Sequence, residues 1–362
     1  MKIGIDAHVL GKRLGGVERF VAELVKGLPT LTPEHQYVIF VTKSAYKTMQ
    51  YQSTRQVRFV PLEFSNPLLE RLILLPWLVW RHRLDALLVQ RLAPWFCRDS
   101  KLIVTIHDLT PIKFKEAYSG LSNRLVRLLT KNTIQRADLI LTPTNAIKAE
   151  IAAYAPEAKA PIRAFYNGVD VARFKKNAHT VGVSEPLYLL TVGAIERRKN
   201  LETIIAMLAL LEDQNMHLYI LGGIRDHTYF AEIQQQISKL GLIQRVHYLG
   251  FLDEDALISR YQNAQIFITS SKDEGFNIPP LEAMACDVPV ICSDIPVHRE
   301  LFDGAALFYK AESAQELCEK VEHLTKNTSL NAELVRQGKV KVQFFNWTQT
   351  ANNIAKALRE IL

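Results

Sequence analysis

A chain of 362 residues that is 48% hydrophobic and 22% charged, with 16 Gly and 15 Pro, is too long for one ordinary core and too apolar for extended disorder. Two domains of ~150 to 180 residues are expected. The four cysteines, Cys97, Cys286, Cys292 and Cys318, have no CxxC spacing and no histidine at ligand spacing, which argues against a disulfide framework and a zinc site. The formal charge of +7 is uneven: residues 1–170 carry 24 Lys and Arg against 14 Asp and Glu, and the remainder 20 against 23. The basic first half is either drawn to an anionic surface, such as phospholipid, polyprenyl phosphate or nucleic acid, or is an ordinary solvated face.

Met1-Lys2 runs straight into Ile3-Gly4-Ile5. This leaves no room for the regions of a secretory signal, and a reducing cytoplasm is the expected setting. Strands are predicted at Lys2 to Ile5, Tyr37 to Val41, Val57 to Pro61, Ala86 to Val89, Lys101 to Ile106 and Leu139 to Thr142, with amphipathic helices such as Val17 to Leu28 and Arg124 to Gln135 between them. That alternation is the βαβ rhythm of a doubly wound parallel sheet. The longest apolar run, Leu72 to Trp80, is broken by Pro76 and flanked by Glu70, Arg71, Arg81 and Arg83, well short of the ~18 residues a membrane span needs. It belongs either to the core or, with Trp95-Phe96, to a surface that rests on a membrane.

The rhythm restarts after a break near Asn177 to Pro186, with strands predicted at Leu187 to Val192, His217 to Leu221, Val246 to Leu249, Ile266 to Thr269 and Pro289 to Cys292. The fold class is therefore α/β, two Rossmann-like doubly wound domains. The expected bounds are 1–177, joined by a final helix at about 348–362, and 178–347. Such pairs bind ligands where the C-terminal edges of their strands converge, so the functional residues are expected in the cleft the two domains face.

Four segments at strand ends carry the candidate chemistry. Gly15-Gly16, between the first strand and the first helix, is either a tight turn or a loop whose N–H groups approach a phosphate or a glycan hydroxyl. His107-Asp108 closes the strand at 101–106, where an active-site group of an α/β sheet is expected. Arg197, Arg198 and Lys199 precede the helix that opens at Asn200, and cations at that end oppose the helix dipole unless an anion compensates them. Glu274-Gly275-Phe276-Asn277-Ile278-Pro279-Pro280-Leu281-Glu282 is the strongest signal. Its prolines suit the first helical positions, the amides of Phe276, Asn277 and Ile278 are left for hydroxyls or phosphate, and Glu274 and Glu282 can accept from vicinal sugar hydroxyls. Asp253-Glu254-Asp255 looks like a metal-binding DxD, but it stands where a helix cap is expected.

These residues resemble glycosyltransferase family 4, retaining enzymes of the GT-B fold. The carrying motifs are Gly15-Gly16-Val17-Glu18-Arg19, His107-Asp108, Asn167-Gly168-Val169-Asp170, Arg198-Lys199-Asn200 and the Glu274-x7-Glu282 segment, with Ser293-Asp294-Ile295-Pro296 and Asp303-Gly304-Ala305-Ala306 as later turns. The resemblance implies a donor-binding C-terminal domain, an acceptor-binding N-terminal domain and a last helix that returns to the latter. It implies that Glu274 holds hydroxyls of the transferred sugar, Glu282 the ribose, Arg198 and Lys199 the diphosphate, and that His107 stands by the reacting carbon. It further implies no metal and no cofactor beyond the nucleotide-sugar co-substrate, with GDP-mannose the first donor to consider and a UDP-sugar the second. The implied partner is a glycan or lipid-linked acceptor, not nucleic acid; the basic first half and the run at 72–80 add an anionic membrane surface at the inner face as a candidate partner, and the oligomeric state stays open. Two departures stand out: Ala194 replaces an arginine common after the glycine of the phosphate strand, and Asn277 replaces a small residue. A GT-B nucleotide-sugar 2-epimerase and a non-catalytic binder of nucleotide sugar or acidic lipid are the alternatives, whereas the first turn lacks the GxGxxG of a nicotinamide oxidoreductase.

Overall fold

The computed structural model describes residues 1–12, 15–62, 73–94, 100–114, 121–175 and 186–362. The first sheet contains β1 (Lys2–Asp6), β2 (Gln36–Thr42), β3 (Val57–Leu62), β4 (Ala86–Gln90), β5 (Lys101–Thr105), β6 (Leu139–Thr142) and β7 (Ile162–Ala164), in the order β3-β2-β1-β4-β5-β6-β7. The second contains β8 (Tyr188–Val192), β9 (His217–Leu221), β10 (Val246–Gly250), β11 (Ile266–Thr269), β12 (Val290–Ser293) and β13 (Leu307–Tyr309), in the order β10-β9-β8-β11-β12-β13. Every neighbouring pair is parallel. Both orders are those of a doubly wound sheet, so each has a switch point where the order reverses, between β1 and β4 and between β8 and β11.

Parallel strands are covered on both faces and therefore read as unbroken apolar runs; all five residues of β4 are buried. The two strands not predicted, β7 and β13, are three-residue edge strands, and Arg163 of β7 is exposed. Such short pieces carry no periodicity.

By internal contacts the chain forms two compact units, Met1–Gly168 with Trp347–Leu362, and Val169–Asn346. The chain enters the second unit at Val169, ahead of the expected junction at 177/178, which falls among residues outside the described ones. The short helix Val171–Phe174 accounts for the difference: Phe174 is buried with its ring 5.8 Å from that of Tyr261, and its carbonyl accepts from Cys286 Sγ at 3.1 Å. In the first unit, Phe20, Val21, Leu24 and Leu28 of the helix Gly16–Leu31 join a core with Ile354, Ala355, Ala357 and Leu358 of the terminal helix Trp347–Arg359.

The apolar run at 72–80 divides its faces. Its described part enters the helix Leu75–His82, where Leu75, Leu78 and Val79 are buried, while Ile73, Trp77 and Trp80 are 57%, 52% and 73% exposed. Trp95-Phe96, Leu72 and Cys97 lie outside the described residues. No helix among the described residues is long and apolar enough to cross a membrane. Cys286, Cys292 and Cys318 are buried and form no disulfide with one another.

Candidate functional site

The second unit gathers its charged side chains at the switch point. Beyond β8 the chain turns through Gly193 into a 3-10 turn, Arg197–Lys199, before the helix Leu201–Leu210. Asn200 joins the two in the left-handed region, φ 53, a conformation that asparagine tolerates better than most residues. Its side-chain amide donates to the Ser270 carbonyl at 3.1 Å, and Ser270 Oγ donates to the Lys199 and Asn200 carbonyls at 2.7 and 2.8 Å. The turn is thereby sewn to the segment that follows β11.

That stitching brings Arg198 and Lys199 to Glu274. Arg198 Nη1 donates to Glu274 Oε2 at 2.6 Å and Nη2 to Glu196 at 2.7 Å, while Lys199 Nζ and Ser271 Oγ both donate to Glu274 Oε1. Burial opposes the charge on Glu274, but the two cations outweigh it and hold the carboxyl far below the usual range; burial lowers Lys199. The charge conflict expected at this helix start is thus answered within the chain by Glu274 and Glu196. Arg197 does not share the cluster: it pairs with Glu232 at 2.6 Å over the Tyr229 ring. A shallow recess lined by Gly193, Ala194, Lys199, Thr269, Ser270 and Ser271 among others lies beside these groups.

Pro279-Pro280 begin the helix Pro279–Ala285, as expected, and Glu282 in its first turn accepts from Tyr261 Oη at 2.8 Å. Ahead of it Asn277 has φ 75. Among the described residues no acceptor meets the main-chain N–H of Phe276, Asn277 or Ile278, although all three residues are buried. The three residues stand immediately ahead of that helix. Asp253 caps the helix Glu254–Gln262, accepting from Ala256 N at 2.9 Å.

In the first unit the switch point collects polar pairs at the ends of β1, β4 and β5. Buried His107 bonds through Nε2 to Gln90 Oε1 at 2.9 Å, with Phe20 edge-on at 5.0 Å. Asp108 serves other partners, accepting from Arg91 Nη2 at 2.8 Å and Thr110 N at 3.0 Å. Gly15, φ 68, heads the first helix and Gly16 is its first residue. Sequence reasoning passed over Asp6, whose carboxylate meets His8 Nδ1 at 2.6 Å, and over Gln90, Arg91, Ser271, Ser293 and His298. Their signal was available only as position: all stand at or just past the C-terminal end of a strand except His298, which lies in the helix after β12.

Burial pushes His107 and His298 each down to about 4. As pH falls below the ordinary histidine value, the unfolded chain takes up protons that the folded chain refuses. Stability is therefore full at neutral pH and declines from about pH 6.5 to about 4, by about 3 kcal/mol per histidine. Urea unfolding across that range is expected to show the decline, and His107→Gln a shallower one; an unchanged slope would contradict the neutral, buried imidazole.

Two Rossmann-like units and a cation–carboxylate cluster at the second switch point define the class as GT-B. Residues 14–173 match the family described as Glycosyltransferase Family 4, and residues 173–341 that described as Glycosyl transferases group 1. The chain belongs to these glycosyltransferases. It is similar to the O-antigen chain mannosyltransferase RfbU of Salmonella typhimurium, 30% identical over 224 residues that cover 61% of each protein. A Campylobacter jejuni N-acetylgalactosaminyltransferase acting on a diphospho-undecaprenol-linked sugar is 23% identical over 99% of both chains. The matched stretch spans 34% of the length of the Escherichia coli serotype-specific mannosyltransferase WbdA. Among solved structures, the sucrose-phosphate synthase of Thermosynechococcus elongatus superposes with TM-score 0.80 at 18% identity, covering 99% of this chain and 98% of that one. HepE of Anabaena, in complex with UDP and glucose, superposes with TM-score 0.76 at 20% identity, covering 99% and 100%. At those identities the likeness concerns the fold.

Proposed function

We propose that the chain transfers a hexose, mannose first, from a nucleotide-diphosphate sugar to a glycan or lipid-linked acceptor in cell-surface polysaccharide synthesis, with retention at the reacting carbon. The observation that carries this reading is the Arg198–Lys199–Glu274 cluster beside three unpaired amides at the head of the Glu274-x7-Glu282 segment. A diphosphate entering the recess would meet a guanidinium fork and an ammonium already oriented by Glu274, a preorganised arrangement for charge that grows as the phosphate leaves. Glu274, Gly275, Phe276, Asn277 and Ile278 would receive the sugar, Glu282 the ribose, and Gly15, Gly16 and His107 of the first unit the remaining contacts. The leaving phosphate would take the acceptor proton on the face it departs from, with Glu274 and His107 as positioning groups. The mannosyltransferase names of RfbU and WbdA favour GDP-mannose over UDP-sugars.

No metal is assigned to the reaction: the cations supply the charge a metal would, and Asp253 is engaged as a cap. The expected result of a thermal-shift screen of sugar nucleotides in excess EDTA is stabilisation by one of them, ~2.7 kcal/mol at 100 times its dissociation constant, followed by turnover with acceptor under the same chelation. Loss of binding or turnover on chelation, restored by magnesium or manganese, would return Asp253 and Asp255 as ligands.

A cytoplasmic chain that rests on the inner membrane face completes the proposal. Its support is the exposed Trp77 and Trp80 beside Arg81 and Arg83, within a half of net positive charge. Each Lys or Arg near an anionic surface contributes ~1 kcal/mol, screened over ~8 Å at physiological salt. Cosedimentation should rise with the anionic lipid content of vesicles at low salt and fall at high salt; no rise would point to a soluble glycan acceptor.

A further inference from the structure

His298 is fully buried in the helix Pro296–Phe302 after β12, and nothing in the proposed chemistry uses it. Its surroundings fix its protonation by elimination. Nδ1 lies 2.9 Å from the Ser293 carbonyl, which can only accept, so Nδ1 carries the proton. Ser293 Oγ, 3.3 Å from the same nitrogen, donates its own proton to the Ser271 carbonyl at 2.6 Å and is likewise left to accept. A neutral ring with Nδ1–H has a bare Nε2, and 2.9 Å from it stands the side-chain nitrogen of Asn277. That nitrogen also donates to Thr269 Oγ1 at 3.1 Å.

The carboxamide of Asn277 therefore has one permitted orientation. Turned over, its oxygen would face the lone pair of Nε2, and a buried pair of acceptors without a proton between them is unfavourable. In the permitted orientation both N–H groups are used and the oxygen remains, with no donor among the described residues. Through Ser293 and Ser271 the same network reaches Glu274 Oε1, to which Ser271 Oγ donates at 2.7 Å. The two ends of the Glu274–Asn277 segment are thus tied to one buried frame.

We propose that His298, as the neutral Nδ1–H tautomer, is a positioning residue that orients the Asn277 carboxamide so that its oxygen accepts a hydrogen bond from a hydroxyl of the bound donor sugar. The proposal rests on the reading of the Glu274-x7-Glu282 segment as the donor site. It gives Asn277 a specificity role: a sugar hydroxyl that donates to Asn277 is favoured, and an analogue lacking it leaves the oxygen desolvated and unpaired.

Two measurements test it. Long-range proton–nitrogen correlation on the histidine rings of the full chain reads the tautomer with no ligand, and the His298→Gln spectrum identifies the signals. A protonated Nδ1 and a bare Nε2 are expected; a protonated Nε2 overturns the proposal. Binding of GDP-mannose is then compared across variants. His298→Leu is expected to weaken it ~10-fold or more, and His298→Gln, whose Oε1 can still accept from Asn277, by much less. In an Asn277→Gly background the two should become equal. Equal effects with Asn277 present, or a difference that persists once Asn277 has been replaced, would overturn the proposal. If His298→Leu does not fold, the tautomer decides. If the wild-type chain binds no sugar nucleotide, the donor-site reading fails and the proposal with it, while the tautomer result still reports whether the frame exists.

Discussion

Glu274→Gln and Lys199→Ala are each expected to lower kcat/KM ~100-fold or more, because each removes a group proposed to touch the reacting part of the donor. Glu274 is the shared partner of Arg198 and Lys199, whose side chains are 14% and 16% exposed. Truncating it to alanine would leave two cations facing one another in a poorly solvated site, and removing one partner of a buried pair costs ~3–5 kcal/mol. Glutamine keeps the volume and an acceptor for Ser271, so its loss of turnover can be separated from loss of fold by the unfolding transition of the same sample. Lys199→Ala removes the cation and leaves Glu274 paired with Arg198. Steady-state kinetics on both variants, with folding verified, decides the matter: near-wild-type turnover in both would refute the site assignment.

A large loss of stability is expected at Gly222, just after β9. Its φ of 133 is one that side chains rarely adopt, and a Cβ there would stand 2.0 Å from the Gly193 carbonyl oxygen. Neither atom can yield easily, since Gly193 N is bonded to the Leu221 carbonyl at 2.8 Å and Gly222 N to that of Gly250 at 2.9 Å. Gly222→Ala is expected to destabilise by ~2 kcal/mol or more. Gly241, φ 71 with nothing within 4 Å of its would-be Cβ, is the control, and Gly241→Ala should cost only the ~1 kcal/mol of the left-handed conformation. Urea midpoints compare them. A Gly222→Ala midpoint no lower than that of Gly241→Ala would mean that the loop beyond β8 gives way without strain. If the loop is rigid, sugar-nucleotide binding should also weaken, because Gly193 packs against the Lys199 side chain.

Much of this architecture was legible beforehand because its information is local. Buried parallel strands announce themselves as apolar runs, and Pro279-Pro280 announce a helix start. Asp253 was readable as a cap for the same reason, since the capped N–H is only three residues away. The Glu274-x7-Glu282 segment is one continuous stretch. By contrast, Ser271 and Ser293 meet it from the ends of two different strands and His298 from the helix after the second, and only the β11–β12 pairing puts them together. Nor could the sequence show that the carboxylate answering Arg198 and Lys199 lies some 75 residues away. The positive φ of Asn277 explains the departure from a small residue in physical terms: asparagine is among the few side chains that tolerate that backbone.

The return of the helix Trp347–Arg359 to the first unit has a consequence for biosynthesis. Val169–Asn346 is one uninterrupted stretch of chain and can complete its core while translation is still under way. The first unit cannot, although its strands are made first. Until Ile354, Ala355 and Leu358 have left the ribosome, the side of its first helix that packs on the terminal helix lacks that cover. The nascent chain therefore carries an open apolar face through most of its synthesis, and its earliest-made unit is the one that closes last.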